Sequence, residues 1–166
     1  MKIFLVGFMG CGKSSIGKRL SRKIGYDFID LDTFIESNNK RSIDNIISKE
    51  GEAVFRQYEK DALLSLENRD NLVVATGGGT PCFFDNMEII NKMGVSVYLK
   101  MSPVSLAKRL EDSKHSRPLL KNNTGLDLLL KIKEMLNERE KFYMQAQCIL
   151  KGENAKPDHI RKLVFG

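Results

Sequence analysis

The chain reads as an α/β protein in which a parallel, doubly wound sheet carries helices on both faces. Three observations predict this. Short apolar runs rich in branched and aromatic residues alternate with stretches of helical periodicity along the whole sequence, the pattern of strands joined by helical crossovers. The first run, Lys-Ile-Phe-Leu-Val at residues 2–6, opens directly into Gly7-Phe8-Met9-Gly10-Cys11-Gly12-Lys13-Ser14, which fits G-x-x-x-x-G-K-[ST] at every fixed position. No internal repeat, low-complexity tract or Pro/Ser-rich linker interrupts the 166 residues, so they are expected to form one domain.

Each element follows from its own pattern. Residues 2–6 suit a strand buried on both faces. After Ser14, the apolar residues Ile16, Leu20 and Ile24 recur at helical spacing with Lys18, Arg19, Arg22 and Lys23 between them, which predicts an amphipathic helix. Further strands are expected at 27–30, 72–75, 95–100 and 148–150. Helices are expected at 33–37, 42–49, 52–66, 85–93, 103–110, at 126–145 with room for a break, and at 159–164. In such a sheet, ligands bind beyond the carboxyl ends of the strands, so the residues following each strand are the candidates for function.

Strand one is followed by the glycine loop. Its backbone N–H groups turn inward around phosphate oxygens, and the positive end of the next helix favours the anion. Lys13 would reach the β- and γ-phosphates and the Ser14 hydroxyl would ligate Mg²⁺. Strand two is followed by Asp30-Leu31-Asp32. In an extended segment the two carboxylates point the same way, with two jobs open to them: anchoring Mg²⁺ through water, or accepting a proton from a hydroxyl nucleophile. Strand three leads into Thr76-Gly77-Gly78-Gly79-Thr80-Pro81, three consecutive glycines whose entropic cost implies close approach of backbone to a ligand. That strand lacks the terminal aspartate of a Walker B strand, so magnesium falls to Ser14, the Asp30–Asp32 segment and water.

Arg56 lies beside the apolar stripe of its helix, in Gly51-Glu52-Ala53-Val54-Phe55-Arg56-Gln57-Tyr58-Glu59, and is a candidate pocket residue. The polar segment after the fourth strand unit, with Arg117-Pro118-Leu119-Leu120 embedded in it, reads as a mobile lid over approximately 111–124. An arginine there is placed to neutralise transition-state charge.

Composition narrows the class. Apolar residues make up 42% and charged residues 29% of the chain, as in ordinary globular proteins. No tract of 18 apolar residues is present and the N-terminus runs into the first strand, so neither a membrane span nor a signal peptide is expected, and a cytoplasmic location is the default. The net charge of +6 is spread along the chain among acidic residues without a dense basic block, which argues against a nucleic-acid partner and suits an enzyme that steers polyanionic nucleotides. Cys11, Cys82 and Cys148 lack metal-ligand spacing and fit a reducing compartment. His115 and His159 have no sequence neighbours that suggest a base or ligand.

Taken together, the phosphate loop GFMGCGKSS, Asp30-Leu31-Asp32, GEAVFRQYE at 51–59, the triple glycine at 77–79, Arg-Pro-Leu-Leu at 117–120, and Arg139 with Tyr143 four residues on resemble the shikimate kinase family over nearly the whole length. The resemblance implies a P-loop, nucleoside-monophosphate-kinase-like fold with a five-stranded parallel sheet. It implies transfer of the ATP γ-phosphoryl group to the 3-hydroxyl of shikimate, in the route to chorismate and the aromatic amino acids, by a monomer. Gly10, Cys11, Gly12, Lys13, Ser14 and Ser15 would hold the nucleotide phosphates, and Arg109 with Arg117 would complete the nucleotide site. Asp32 would contact the ring hydroxyls and orient or deprotonate the nucleophile. Arg56 and Arg139 would clamp the carboxylate, the backbone of Gly77, Gly78 and Gly79 would meet the substrate, and helices within approximately 32–60 would frame it. Lys13 and Arg117 would stabilise the phosphoryl group in flight, with Ser14 on Mg²⁺ and Asp30 behind it. The rival readings are a related small-molecule kinase, such as a gluconate or nucleoside monophosphate kinase, and a GTPase-like switch or nucleic-acid-binding P-loop protein. Asn91-Lys92-Met93-Gly94 begins like a guanine-reading segment but lacks its aspartate.

Overall fold

The computed structural model describes residues 1–113, 120 and 123–166. Five strands, β1 (Lys2–Val6), β2 (Asp27–Asp30), β3 (Leu72–Ala75), β4 (Val95–Lys100) and β5 (Cys148–Lys151), form one sheet in the order β2-β3-β1-β4-β5. Every pairing is parallel. Burial explains the order: every residue of β1 and β3 is buried, as suits strands covered on both faces, whereas β2 and β5 at the edges are only partly covered.

Among the described residues eight helices pack on this frame: α1 (Lys13–Ile24), α2 (Leu31–Asn39), α3 (Ile43–Glu50), α4 (Glu52–Leu64), α5 (Asn86–Met93), α6 (Pro103–Glu111), α7 (Gly125–Tyr143) and α8 (Pro157–Phe165). Single 3₁₀ turns follow β3 (Thr80–Cys82) and β5 (Gly152–Asn154). The caps are local chemistry. Ser42 accepts from the Asn45 N–H to start α3, and Ser102 accepts from the Ser105 N–H to start α6 with Pro103 in its first turn. The strand β1 leads over to β2 on one side and β3 leads over to β4 on the other, although β1 and β3 are neighbours. Connections leaving adjacent strands in opposite directions open a crevice between them. Both loops bordering that crevice are glycine-rich, and Thr76 ties them by donating from its N–H and hydroxyl to the Leu5 carbonyl at 3.1 and 3.0 Å.

Two expectations are corrected. The helix expected at 33–37 begins at Leu31, because the Asp30 side chain accepts from the Thr33 N–H at 3.3 Å and caps it. Asp30 and Asp32 therefore do not share an extended segment, and period-two alternation is not what aims them. The helix expected at 126–145 is unbroken from Gly125 to Tyr143, since no proline or glycine follows its first residue. Its buried side runs Leu128, Ile132, Met135, Leu136, Arg139, Tyr143, which draws one arginine into the interior along an apolar stripe. Among the described residues no helix is long and apolar enough to cross a membrane.

Candidate active site

The glycine loop bends through left-handed backbone at Gly10 (φ 82°) and Gly12 (φ 95°), conformations that glycine adopts without penalty. The loop is closed by a hydrogen bond from the Cys11 N–H to the Phe8 carbonyl at 3.2 Å. Lys13 is buried at 8% exposure, and its ammonium donates to the carbonyls of Gly7 at 2.7 Å and Phe8 at 3.0 Å, so the loop's own backbone holds the charge at its mouth. The Cys11 side chain lies behind the loop, 2% exposed, with Sγ at 3.8 Å from the Lys13 ammonium. Ser15 is the third residue of α1 and is exposed. Arg109 extends from α6 to the loop and donates to the Cys11 carbonyl at 3.4 Å.

Beside the loop, the Ser14 hydroxyl donates to the Asp30 carboxylate. The other oxygen of that carboxylate is the cap of α2, so Asp30 is fixed from two directions. Asp32 is in the first turn of α2, half-buried, and faces the triple-glycine loop: a Cβ added to Gly77 would stand 2.8 Å from Asp32 Oδ1, 2.7 Å from Glu59 Oε1 and 2.8 Å from Thr80 Oγ1. A side chain there would collide with these groups, so the close approach at Gly77 is made by the protein's own Asp32, Glu59 and Thr80.

The next residues form a buried ionic layer. Arg56 is 5% exposed and donates from Nη1 to Glu59 at 2.7 Å, and from Nη2 and Nε to Glu52 at 2.9 and 3.3 Å. Glu59 is 1% exposed and accepts from the Thr80 hydroxyl at 2.5 Å. The Phe83 ring covers the guanidinium at 4.1 Å. Burial works against the Arg56 charge, but Glu59 and Glu52 outweigh it and hold the pKa above its ordinary value. A Cβ on Gly79 would stand 2.4 Å from Arg56 Nη1.

Arg139 enters from α7 at 9% exposure, with its guanidinium over the Phe8 ring at 5.8 Å. Its Nη1 is buried without a hydrogen-bond partner among the described residues and lies 3.6 Å from where a Cβ on Gly78 would be. A buried donor left unmatched costs stability, so a ligand acceptor at this place is the physical expectation. Arg139 also lines a cleft of about 490 Å³ with Glu52, Cys82, Phe83, Met135 and Phe142. Burial pushes the Cys82 thiol up to about 11, although Arg139 pulls the other way. A larger cleft of about 630 Å³ between α7, β5 and the start of α6 touches none of the expected site residues.

The structure thus brings together Gly10, Cys11, Gly12, Lys13, Ser14, Asp30, Asp32, Arg56, Gly77, Gly78, Gly79, Arg109 and Arg139. Gly78 joins the two halves, since its added Cβ would stand 3.1 Å from the Met9 backbone nitrogen. Arg117 and His115 lie outside the described residues, as does most of the 111–124 segment. Sequence reasoning left Glu59 without a role. Its signal was the i,i+3 spacing from Arg56 on one helix.

A family profile described as shikimate kinase matches residues 9–164. The chain belongs to the shikimate kinase family. A shikimate kinase of Parabacteroides distasonis is 44% identical over 152 residues, covering 92% of this chain and 88% of that protein. The crystal structure of shikimate kinase from Bacteroides thetaiotaomicron superposes with a TM-score of 0.93 at 36% identity, covering 98% of this chain and 97% of that one. Shikimate kinase from Acinetobacter baumannii, solved in complex with shikimate, gives a TM-score of 0.87 at 32% identity over 98% of this chain and 89% of that one. The five-stranded parallel sheet and the resemblance read from the motifs are both borne out.

Proposed function

We propose that this chain transfers the γ-phosphoryl group of ATP to the 3-hydroxyl of shikimate, giving shikimate 3-phosphate and ADP, within aromatic amino acid biosynthesis. The observation that carries the reading is Arg139 Nη1: a buried guanidinium nitrogen with no hydrogen-bond partner among the described residues, beside the triple-glycine loop and one loop away from the phosphate-binding motif. Such a group calls for an anionic acceptor, and a planar guanidinium matches a carboxylate in charge and shape. The Acinetobacter baumannii relative, solved with shikimate, supports a carboxylated polyol as that acceptor.

In this reading Arg139 supplies the first hydrogen bonds to the carboxylate. Arg56 joins through the outer edge of its fork, now shared with Glu52, whose side chain is 49% exposed and able to yield. The backbone of Gly77, Gly78 and Gly79 forms the floor. Asp32 orients the acceptor hydroxyl and takes its proton as the oxygen attacks the γ-phosphorus; the new O–P bond forms while the bond to the β-phosphate oxygen breaks, and ADP leaves. Lys13 stabilises the phosphoryl oxygens in transit, a task that needs only a small movement from the loop carbonyls. Arg117 is assigned the same task by family resemblance alone.

The residues fit a magnesium ion. Ser14 and Asp30 present oxygen ligands of the kind a hard cation takes, next to a phosphate-binding loop. Ser14 would ligate the ion directly and Asp30 would hold Ser14; the ion supplies charge neutralisation at the β- and γ-phosphates. Arg109, lying against the phosphate loop, borders the nucleotide. We read the enzyme as a cytoplasmic monomer with no nucleic-acid partner.

The reading is tested by incubating the protein with ATP, Mg²⁺ and shikimate and assigning the product by phosphorus–proton NMR. A phosphate coupled to the proton on carbon 3 is expected; coupling at another ring carbon, or ATP hydrolysis without a phosphorylated product, would overturn it.

A further inference from the structure

The phenol of Tyr143 donates a hydrogen bond of 2.5 Å to the carbonyl oxygen of Gly78. Its side chain is fully buried, packed against the Tyr98 ring with centroids 5.2 Å apart. Burial also holds the phenol pKa well above its ordinary value, so the hydroxyl stays a donor at any working pH. The acceptor matters more than the donor. The Gly78 carbonyl and the Gly79 N–H are opposite edges of one planar peptide, so fixing the first fixes the direction of the second.

That peptide lies between the two arginines. Arg139 Nη1 stands 3.6 Å from the Cβ position of Gly78, and Arg56 Nη1 stands 2.4 Å from that of Gly79. Three successive glycines leave this backbone with more conformational freedom than any other residues would. Tyr143 follows Arg139 by one helical turn on α7, so one rigid helix carries both the guanidinium and the hydroxyl that reaches the glycine loop.

We propose that Tyr143 is a positioning residue for the acceptor: its hydroxyl locks the Gly78–Gly79 peptide between Arg56 and Arg139 and keeps the glycine-loop N–H groups in register with the carboxylate clamp. The inference rests on the reaction proposed above. Loss of the hydroxyl leaves the nucleotide site intact, so its effect falls on shikimate and not on ATP.

The test is steady-state kinetics of Tyr143→Phe, which keeps the ring and its packing. The shikimate KM is expected to rise about fivefold to tenfold, the effect of one lost hydrogen bond, with the ATP KM within about twofold of wild type. Tyr98→Phe serves as the control, because it removes a buried phenol from the same ring pair that interacts with Glu140 and not with the Gly78 carbonyl, and both KM values are expected to hold. Para-aminophenylalanine at position 143 restores a donor and is expected to recover at least half of the lost affinity. An unchanged shikimate KM in Tyr143→Phe, a parallel rise in both KM values, or no recovery with the amino analogue would overturn the proposal. A wild-type protein that does not phosphorylate shikimate would instead overturn the reaction itself.

Discussion

The Ser14 hydroxyl and the Asp30 carboxylate are joined by a hydrogen bond across the mouth of the phosphate loop, and the same carboxylate caps α2 through the Thr33 N–H. One side chain thus ties the loop after β1 to the helix after β2. Asp30→Asn separates the two jobs. Asparagine is as good a cap as aspartate, so the melting temperature is expected to change little, while the Mg²⁺ concentration for half-maximal activity rises about tenfold or more, as for other outer-shell changes. A magnesium titration of initial rates checks this. An unchanged titration would confine Asp30 to capping.

Asp32→Asn is expected to lower kcat by about a hundredfold to ten-thousandfold, the range for loss of a general base, with ATP affinity by calorimetry nearly intact. Normal turnover in this variant would remove Asp32 from the chemistry.

Arg139→Ala removes the buried Nη1, which no described residue matches. The shikimate KM is expected to rise about tenfold to a hundredfold, the scale of a lost hydrogen bond to a charged group, with kcat affected less. Shikimate methyl ester, which lacks the anion, is expected to be nearly indifferent to the substitution. An equal loss for the ester and the acid would contradict a carboxylate clamp.

Gly79→Ala places a methyl group where the nearest Arg56 nitrogen is 2.4 Å away. Arg56 is pinned by Glu59 and Glu52 and covered by Phe83, so it has little room to retreat. The variant is expected to lose shikimate affinity by about tenfold, comparable to an overpacking cost of about 1–3 kcal/mol. A wild-type KM would mean that the ionic layer moves freely.

The Cys82 thiol, raised to about 11 by burial, reacts only as the thiolate. At pH 8 about one molecule in a thousand carries it. Alkylation by iodoacetamide is therefore expected to be slow at pH 8, to quicken about tenfold per pH unit up to pH 11, and to be slowed by shikimate. Rapid, pH-independent labelling at this residue, followed by peptide mass spectrometry, would contradict the assignment.

Much of this site was legible in the residues themselves. The phosphate loop was readable because backbone chemistry leaves few alternatives to glycine at φ 82° and 95° and to a lysine after the last one. The triple glycine was read as a place where backbone meets a ligand; at Gly77 the groups that crowd it are the protein's own Asp32, Glu59 and Thr80. What escaped was decided by tertiary partners. Asp32 was legible as a candidate, but its place in a helix was not, because the cap at Asp30 starts α2 before apolar periodicity is visible. Glu59 looked like one more charge on a helix until the fold buried it against Arg56 and Thr80. Tyr143 stood only as a companion to Arg139 four residues earlier; its contact with Gly78 bridges 65 positions, and no local pattern encodes a bond of that range.

The central claim, that the acceptor is a carboxylated polyol held by Arg139 and Arg56 next to ATP, is tested most directly by coupled ATP turnover with shikimate, quinate, gluconate and nucleoside monophosphates at equal concentrations. The account expects turnover with shikimate that exceeds the others by orders of magnitude and that falls in Arg139→Ala. Comparable turnover with gluconate or a nucleotide, or none with shikimate, would contradict it.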